Sequence, residues 1–398
     1  MPDIISGSKG ETVLLMGNEA IARGMLEAGI SVAAAYPGTP STEIVEALSR
    51  VAKKAGIYVE WSTNEKVALE VAVGASMCGL RTAAVMKHVG VNVAADPLMS
   101  VGYSGVEGGL VIVTADDPNA HSSQNEQDNR FYGLHAYIPI FEPSSPGEAK
   151  DLTRDIYEIS EKYKTAVFLR STTRISHVRG NVTLGDVPKP KSKGKFHRDY
   201  SRWVLLPVNS RRLHQEAIDR IEKLSFIVEW QVKIFAKEES ISNTIHGKNI
   251  LPRVKELNTS IVASTIATLR QIKLKPYTSH KPSLKLPPRP PTMCPGCGHR
   301  ATYYEIKIAS AKSKIKAVYP GDIGCYTLGF FPPYRLVDIS YSMGSGLGIG
   351  LGISHATDEI VIATIGDSTF FHAGIPALNH RRFHLFPCWH TSINKRCL

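Results

Sequence analysis

Short apolar runs alternate with amphipathic stretches over the first 170 residues of the chain. The runs are SVAAAY (31–36), RTAAVM (81–86), GGLVIVTA (108–115) and TAVFLR (165–170). Between them, stretches such as STEIVEALSRVAKKAG and PGEAKDLTRDIYEISEKY have the spacing of helices. Near-continuous apolar strands separated by helices are typical of a parallel sheet covered on both faces. We therefore predict an α/β fold, with ligands bound at the carboxyl ends of the strands.

The same alternation returns near the other end of the chain. KAVYPG, LVDISY and IVIATIGD are predicted strands, with the glycine-rich MGSGLGIGLGIS between the last two. The intervening part offers the helix-like LHQEAIDRIEKL and IVASTIATLRQI and ends in a Pro-rich, basic linker, HKPSLKLPPRPPT (280–292). We predict a first domain (1–180), a middle segment with its linker (181–290), the start of a second domain (291–378) and an aperiodic tail (379–398).

The net charge of +11 is concentrated in the middle segment. Residues 1–180 carry a net charge of −5, whereas residues 181–290 carry +12. The basic residues are not interleaved with aromatic ones, so a solvated connector is favoured over a nucleic-acid surface. No uncharged apolar run reaches the length of a membrane span, and the N-terminus does not resemble a signal peptide. We expect a cytoplasmic protein with no membrane or nucleic-acid partner, and without disulfides.

Three cysteines have the spacing of metal ligands. Cys294 and Cys297 form a C-P-G-C turn, and Cys325 follows in GDIGCY. Two thiolates two residues apart can hold one corner of a metal site that a distant third completes. Structural zinc, with His299 as a fourth ligand, and an iron–sulfur cluster are the alternatives. Unrelated turn cysteines would leave the same pattern.

The glycine-rich stretch 343–354 and the Gly366-Asp367 pair predict an anion and metal site. Glycines at the start of a helix let the backbone approach a phosphate, although a tightly packed buried helix would also select them. Asp367 at the end of a strand offers a carboxylate suited to Mg²⁺, although a turn aspartate is common.

Two further candidates lie at strand-to-helix turns of the first domain. Thr39 precedes Pro40, which the pattern places at the first helical position. Glu65 has the spacing to form a capping box with Ser62, and the pattern alone favours that structural role. The loop 116–130 carries more hydrogen-bonding side chains than a connector needs, which indicates the rim of a site.

Eight stretches in order along the chain together resemble the 2-oxoacid:ferredoxin oxidoreductases, above all the large (alpha) subunits of the indolepyruvate enzymes. They cover residues 12–180 and 290–378 almost continuously, which is more specific than any single motif. The stretches are YPGTPSTEI, EWSTNEKVALEVAVGAS, TADDPNAHSSQNEQDNR, GKNILPRVKELN, MCPGCGHR, YPGDIGCYTLG, SYSMGSGLGIGLG and ATIGDSTFFHAGIPAL.

This resemblance implies two thiamine-diphosphate-binding-type parallel-sheet domains joined by a shortened, basic middle segment. It implies oxidative decarboxylation of aryl 2-oxoacids such as indolepyruvate, with coenzyme A as acyl acceptor and ferredoxin as electron acceptor. The cofactors would be thiamine diphosphate, Mg²⁺ and a [4Fe–4S] cluster. A beta subunit of the same oxidoreductase would be the protein partner.

The resemblance also implies a role for each matched residue. Glu65 would hydrogen-bond the aminopyrimidine of the cofactor, in place of the capping role, and Thr39 would lie near the substrate carboxylate. Asp367 would hold Mg²⁺ on the diphosphate, with Gly344, Gly346, Gly366 and Ser368 around it. The cluster ligands would be Cys294, Cys297 and Cys325.

Three departures from the family pattern open alternatives. Most of a small middle domain is missing after Leu224, the pattern stops near Leu378, and no C-terminal ferredoxin-like domain follows. We therefore expect a shortened chain with an internal deletion, in which Cys388 and Cys397 have no role. An inactive fragment that only binds cofactor or partner is one alternative. The same chemistry on another 2-oxoacid, such as pyruvate, is the other.

Overall fold

The computed structural model describes residues 4–225, 259–273 and 291–385, and a six-stranded parallel sheet is its main feature. The strands are β1 (Thr12–Met16), β2 (Val32–Ala35), β3 (Tyr58–Trp61), β4 (Thr82–Lys87), β5 (Leu110–Asp116), β6 (Ile140–Phe141), β7 (Val167–Thr172), β8 (Arg179–Thr183), β9 (Ala317–Val318) and β10 (Ile360–Val361). The large sheet has the order β3-β2-β4-β5-β7-β6 with every neighbouring pair parallel, whereas β1 pairs antiparallel with β8. The four predicted strands of the first domain are confirmed as β2, β4, β5 and β7.

Helices cover both faces of the large sheet. The helices are α1 (Gly17–Glu27), α2 (Thr42–Ala55), α3 (Glu65–Met77), α4 (His88–Val93), α5 (Ala95–Ser104), α6 (Arg130–Ala136), α7 (Pro146–Tyr163), α8 (Thr173–His177), α9 (Tyr200–Trp203), α10 (Pro207–Ser225), α11 (Thr259–Arg270), α12 (Gly298–Lys312), α13 (Ser345–Ala356), α14 (Asp367–Thr369) and α15 (Ile375–Leu385). A 3₁₀ helix (Cys325–Phe330) and a π-helical turn (Phe370–Gly374) complete the set.

Alternate residues of the strands enter two separate cores. Ala33 of β2 and Val111 of β5 pack with α1, α2 and α7, whereas Ala34 and Ile112 pack with α3 and α5 on the other face. This alternation follows from the period of two along a strand. The second core continues into the later part of the chain, since it also contains Val318 and Ile349. The predicted α/β class is confirmed.

One predicted strand after residue 290 does not form. LVDISY makes only two isolated bridges, Ile339 with Pro320 and Ser340 with Val204, while β9 and β10 pair in parallel. The backbone hydrogen bonds beside Ile339 are confined to a few residues, with Asp338 N donating to Tyr319 O at 2.8 Å and Gly321 N donating to Ile339 O at 2.7 Å. The strand prediction for LVDISY was therefore wrong.

The chain divides into two compact units, 1–206 with 293–398, and 207–292. Within the second unit, α10 and α11 confirm the two helices predicted for the middle segment. The predicted tail 379–398 begins inside α15, and its residues from 386 onward, with Cys388 and Cys397, lie outside the described residues, as does most of the Pro-rich linker. No helix in the described ranges is long and apolar enough to cross a membrane.

Helices α3 and α13 pack with their backbones almost touching. A Cβ atom added to Gly352 would lie 2.1 Å from the carbonyl oxygen of Val71, and one added to Gly74 would lie 2.2 Å from that of Ile349. Neither backbone oxygen can move without displacing its helix. The two glycines therefore set the separation of the helices, and with it the relative position of the first sheet and the β9–β10 region.

We expect Gly352→Ala to lower the free energy of unfolding by about 2 to 3 kcal/mol, because its methyl group would force α13 away from α3. Urea denaturation followed by circular dichroism measures the loss. Gly350→Ala is the matched control on the same helix, since its nearest contact at 3.2 Å is the side-chain methyl of Val361, which can adjust. Equal losses in the two variants would contradict this account of the packing.

A buried polar network joins β3 to α15. The Glu60 carboxylate accepts hydrogen bonds from Tyr58 Oη at 2.7 Å and Ser62 Oγ at 2.8 Å, and pairs with His380 Nε2 at 2.9 Å. Burial alone would raise the pKa of Glu60, but the bonds from His380, Tyr58 and Ser62 bring it below its ordinary value. His380 belongs to the predicted aperiodic tail, yet it is only 1% exposed.

We expect Glu60→Gln to destabilise the chain by about 2 kcal/mol at pH 7. Because the folded-state pKa of Glu60 is depressed, its stabilisation is present above the ordinary carboxyl pKa and is lost as the pH falls through the folded-state value. The difference between parent and variant should therefore shrink below about pH 4.5. Urea unfolding at pH 7 and pH 4 tests this, with the exposed Glu158→Gln as control; a pH-independent difference would contradict it.

Candidate active site

Glu65 is the first residue of α3, and its carboxylate is not used to cap that helix. The side chain of Asn64 caps it instead, accepting from Val67 N at 2.9 Å, while Ser62 Oγ donates to Glu60. The predicted capping box of Ser62 and Glu65 was therefore wrong, because the neighbouring amide side chain and the buried Glu60 compete for the same groups.

The Glu65 side chain is half-buried against the start of α4. A Cβ on Gly90 would lie 2.6 Å from Glu65 Oε1, so only glycine leaves room for this carboxylate. Burial raises the pKa of Glu65, and the backbone amide of the residue only partly offsets this. A carboxyl group with a raised pKa keeps its proton to a higher pH than an exposed one, which suits a group that shares a proton with a ligand.

Thr39 lies in the exposed turn after β2, at the carboxyl edge of the sheet. The Thr39–Pro40 peptide bond is cis, and α2 begins only at Thr42 with Ser41 at its N-cap. The prediction that Pro40 occupies the first helical position was wrong, because the side chains of Ser41 and Thr42 fold back onto Gly38. Ser41 Oγ donates to the Gly38 carbonyl, and Thr42 Oγ1 accepts from the Gly38 N–H.

Asp322, which no sequence pattern indicated, joins the two glycine motifs of the later domain. Its Oδ1 accepts from Gly344 N at 2.8 Å, and its Oδ2 accepts from Gly366 N at 3.1 Å. Asp322 is 1% exposed, so these bonds form away from water. The motif YPGDIGC contains it, but local pattern offers no sign of partners 22 and 44 residues away.

The residues predicted to bind the cofactor lie around this carboxylate. Gly344 has φ of 84° and immediately precedes α13, and a Cβ on Gly346 would lie 2.7 Å from the carbonyl oxygen of Gly321. Asp367 and Ser368 begin α14 directly after Gly366, and both are exposed. The backbone here therefore forms a close-packed cradle with the exposed carboxylate of Asp367 at its edge.

Two sets of contacts link this cradle to α3. Thr63 Oγ1 donates to Pro376 O at 2.8 Å, and the turn before Pro376 reaches Gly344, whose added Cβ would lie 3.0 Å from Ala373 Cβ. Burial raises the pKa of Glu70 in α3, the ion pair with Lys66 lowers it, and the nearby Asp322 adds to the rise. The structure thus brings the turn before Glu65 and the Gly366-Asp367 motif to one region.

The residues present fit a magnesium diphosphate. The cradle at Gly344 and Gly346 is one that side chains would fill, and backbone N–H groups at helix starts favour anions. The exposed Asp367 carboxylate is a hard oxygen ligand of the kind that Mg²⁺ prefers.

The three candidate cysteines share a region but do not converge on one ion. Cys297 Sγ lies 3.2 Å from His299 Nδ1, and the His299 ring packs 4.3 Å from that of Tyr326, the neighbour of Cys325. All three cysteines are free. Among the described residues, no three His, Cys, Asp or Glu side chains are grouped to hold a metal ion. The iron–sulfur cluster, which the resemblance implies in place of structural zinc, stays a prediction.

Hydrogen bonds organise the polar loop after β5. Asp116 accepts from Arg170 Nε at 2.7 Å and from Asn129 N at 3.1 Å. Burial alone would raise the pKa of Asp117, but bonds from Ser123, Thr173 and the Ser122 backbone hold it below its ordinary range. These hydrogen bonds therefore hold the loop in one arrangement beside the carboxyl ends of β4 and β5.

Two family models match the chain. The model described as pyruvate flavodoxin/ferredoxin oxidoreductase, thiamine diphosphate binding, matches residues 23–222. The C-terminal TPP-binding domain of thiamine pyrophosphate enzymes matches residues 322–393. These matches confirm the predicted fold class of two thiamine-diphosphate-binding-type domains.

Curated relatives cover most of the chain. Indolepyruvate oxidoreductase subunit IorA of Thermococcus kodakarensis is 41% identical over 478 residues, spanning 94% of this chain and 73% of the relative. The IorA subunit of Archaeoglobus fulgidus is 41% identical over 96% of this chain and 75% of the relative. The 2-oxoglutarate synthase subunit KorA of Methanothermobacter thermautotrophicus is 29% identical over 46% of this chain and 50% of the relative.

The first of these alignments is longer than the chain itself, 478 positions against 398 residues. The relative therefore has residues at positions where this chain has none, in agreement with the predicted internal deletion. The resemblance stated from the motifs is confirmed: the chain belongs to the family of indolepyruvate oxidoreductase subunit IorA, among the thiamine-diphosphate-dependent 2-oxoacid:ferredoxin oxidoreductases.

Proposed function

We propose that this chain carries the thiamine-diphosphate site of an oxidoreductase that decarboxylates aryl 2-oxoacids, with indolepyruvate as the substrate. The observation that supports this most is the pair of hydrogen bonds from Gly344 and Gly366 to Asp322, which holds a glycine cradle beside the exposed carboxylate of Asp367. The IorA relatives, which are about 40% identical, support the choice of substrate.

Bound thiamine diphosphate supplies the electron sink that loss of CO₂ from a 2-oxoacid requires. In our proposal the chain contributes three things around it. The half-buried Glu65 hydrogen-bonds the aminopyrimidine and holds a proton there. Asp367 would ligate Mg²⁺, and the hydroxyl of Ser368 with the backbone around Gly344 and Gly366 would line the diphosphate site. Thr39 lies at the entrance, where the substrate carboxylate would bind.

Electron transfer and acyl transfer complete the proposed reaction. Cys294, Cys297 and Cys325 would hold a [4Fe–4S] cluster together with a further ligand, and pass electrons to ferredoxin. Coenzyme A would accept the acyl group, and a beta subunit would complete the cytoplasmic enzyme. The exposed positions of Cys294 and Cys325 leave them accessible to a cluster.

A second candidate substrate class follows from the KorA relative, which acts on 2-oxoglutarate according to its name. The match covers less than half of this chain at 29% identity, so the aryl substrates are favoured. Experiment must distinguish the proposed enzyme from an inactive chain that only binds cofactor or partner.

We expect the chain, co-expressed with its beta subunit, to reduce a low-potential dye when indolepyruvate and coenzyme A are supplied. Asp367→Asn should abolish this and weaken magnesium-dependent thiamine diphosphate binding about 100-fold, because a neutral amide is a poor Mg²⁺ ligand. Isothermal titration calorimetry measures the binding.

Asp358→Asn is the matched control, since Asp358 is an exposed aspartate of the same domain that pairs with Lys193. It should leave both quantities within about twofold of the parent, as exposed pairs contribute little. A parent that binds the cofactor without indolepyruvate-dependent dye reduction would favour the non-catalytic alternative. A parent that responds better to 2-oxoglutarate would overturn the choice of substrate.

We expect Glu65→Gln to lower kcat by about 10²- to 10⁴-fold, because glutamine cannot share the proton of the aminopyrimidine. The Kd of thiamine diphosphate should change little, since the amide still hydrogen-bonds and fits beside Gly90. Steady-state dye reduction and calorimetry measure the two quantities. Full activity in this variant would remove Glu65 from the proposed mechanism.

A further inference from the structure

Lys87 ends β4 at the carboxyl edge of the large sheet, and its stem runs along the turn that carries Thr39. A Cβ added to Gly38 would lie 2.9 Å from Lys87 Cβ and 3.6 Å from Lys87 Cδ. The residue after Gly38 is Thr39, so the lysine passes directly beside the proposed substrate entrance. Glycine at position 38 is what leaves room for this stem.

The charge of Lys87 is not neutralised by its protein surroundings. Its Nζ donates to the backbone carbonyl of Ser122 at 3.1 Å, and no carboxylate in residues 4–225, 259–273 or 291–385 forms an ion pair with it. Asp117, in the same loop, is instead bound by Ser122 N, Ser123 Oγ and Thr173 Oγ1. Lys87 therefore presents a half-buried cation that a negatively charged ligand would complete.

A second ionisable group, the Glu65 carboxylate of α3, packs against α4, the helix that directly follows Lys87. Gly90, three residues after Lys87, packs against the Glu65 carboxylate, and Glu65 forms no ion pair within the described part of the chain. Lys87 and Glu65 thus adjoin the same short helix, α4, and neither forms an ion pair in the described ranges, as is common for groups at functional sites.

We infer that Lys87 binds the carboxylate of the 2-oxoacid substrate. The inference rests on the proposed function, in which every substrate carries a carboxylate beside its keto carbon. A lysine ammonium recognises such an anion as a point charge. With the carboxylate held between Lys87 and the Thr39 turn, the keto carbon is directed toward the side of the turn where Glu65 lies.

The test compares Lys87→Gln with Lys87→Arg in the full chain loaded with thiamine diphosphate and Mg²⁺. Glutamine keeps a donor for the Ser122 carbonyl but removes the charge, whereas arginine keeps the charge. We expect Lys87→Gln to raise the Kd of indolepyruvate about 10- to 100-fold and Lys87→Arg to raise it less than about fivefold. Calorimetry measures binding without requiring turnover.

Two controls isolate the carboxylate. Binding of indole-3-acetamide, which has no carboxylate, should be equal in parent and Lys87→Gln, and Lys53→Gln, at an exposed lysine of α2, should leave indolepyruvate binding unchanged. The Kd values of thiamine diphosphate and coenzyme A should also be unaffected by Lys87→Gln.

The outcomes that overturn the inference are distinct. Unchanged indolepyruvate affinity in Lys87→Gln would show that the lysine only anchors the loop through Ser122. Weaker binding of coenzyme A with unchanged indolepyruvate affinity would assign the cation to a phosphate instead. A parent chain that does not bind indolepyruvate would overturn the proposed substrate and this inference together. If Lys87→Gln weakens indolepyruvate binding but the parent does not reduce the dye, the inference is supported and the catalytic proposal is refuted.

Discussion

The close approach of the α3 and α13 backbones is the constraint on which the site depends. Gly74 and Gly352 allow a separation that any side chain would prevent, and a side chain at position 348 would collide with the buried Glu70. The same two helices begin at the proposed site, one with Glu65 as its first residue and the other directly after Gly344. Because neither helix can shift alone, the packing that stabilises the core also determines how the two parts of the site face each other.

The ionisable groups discussed above fall into two sets, one that stabilises the structure and one that is available to a ligand. Glu60 is buried, paired with His380 and satisfied by hydroxyl donors, and Asp322 is satisfied by two backbone amides. These carboxylates hold structure together. Glu65 and Lys87, in contrast, lie half-buried at the edge of the sheet without ion pairs in the described ranges. The contrast separates groups that position the site from groups available to a ligand.

Features encoded in runs of neighbouring residues were mostly predicted correctly from the sequence. The apolar runs of β2, β4, β5 and β7 were recognised because a strand buried on both faces needs them, and the motifs alone identified the family. LVDISY was misjudged because its apolar and β-branched residues suit a strand, whereas its pairing is limited to Ile339 and Ser340 by partners elsewhere in the chain. Asp322 was missed because its partners lie 22 and 44 residues away. The capping box failed because Asn64 competes locally with Ser62.

The glycine-rich stretch 343–354 had two explanations in the sequence, a phosphate cradle or a tightly packed helix, and the structure divides its glycines between them. Gly348 and Gly352 meet α3, where their absent side chains permit close packing. Gly344 and Gly346 lie at the other end, where one adopts a positive φ and the other approaches a carbonyl of Gly321. One run of small residues therefore serves both purposes, because the helix start that can cradle a diphosphate is held in place by the packing four to eight residues later.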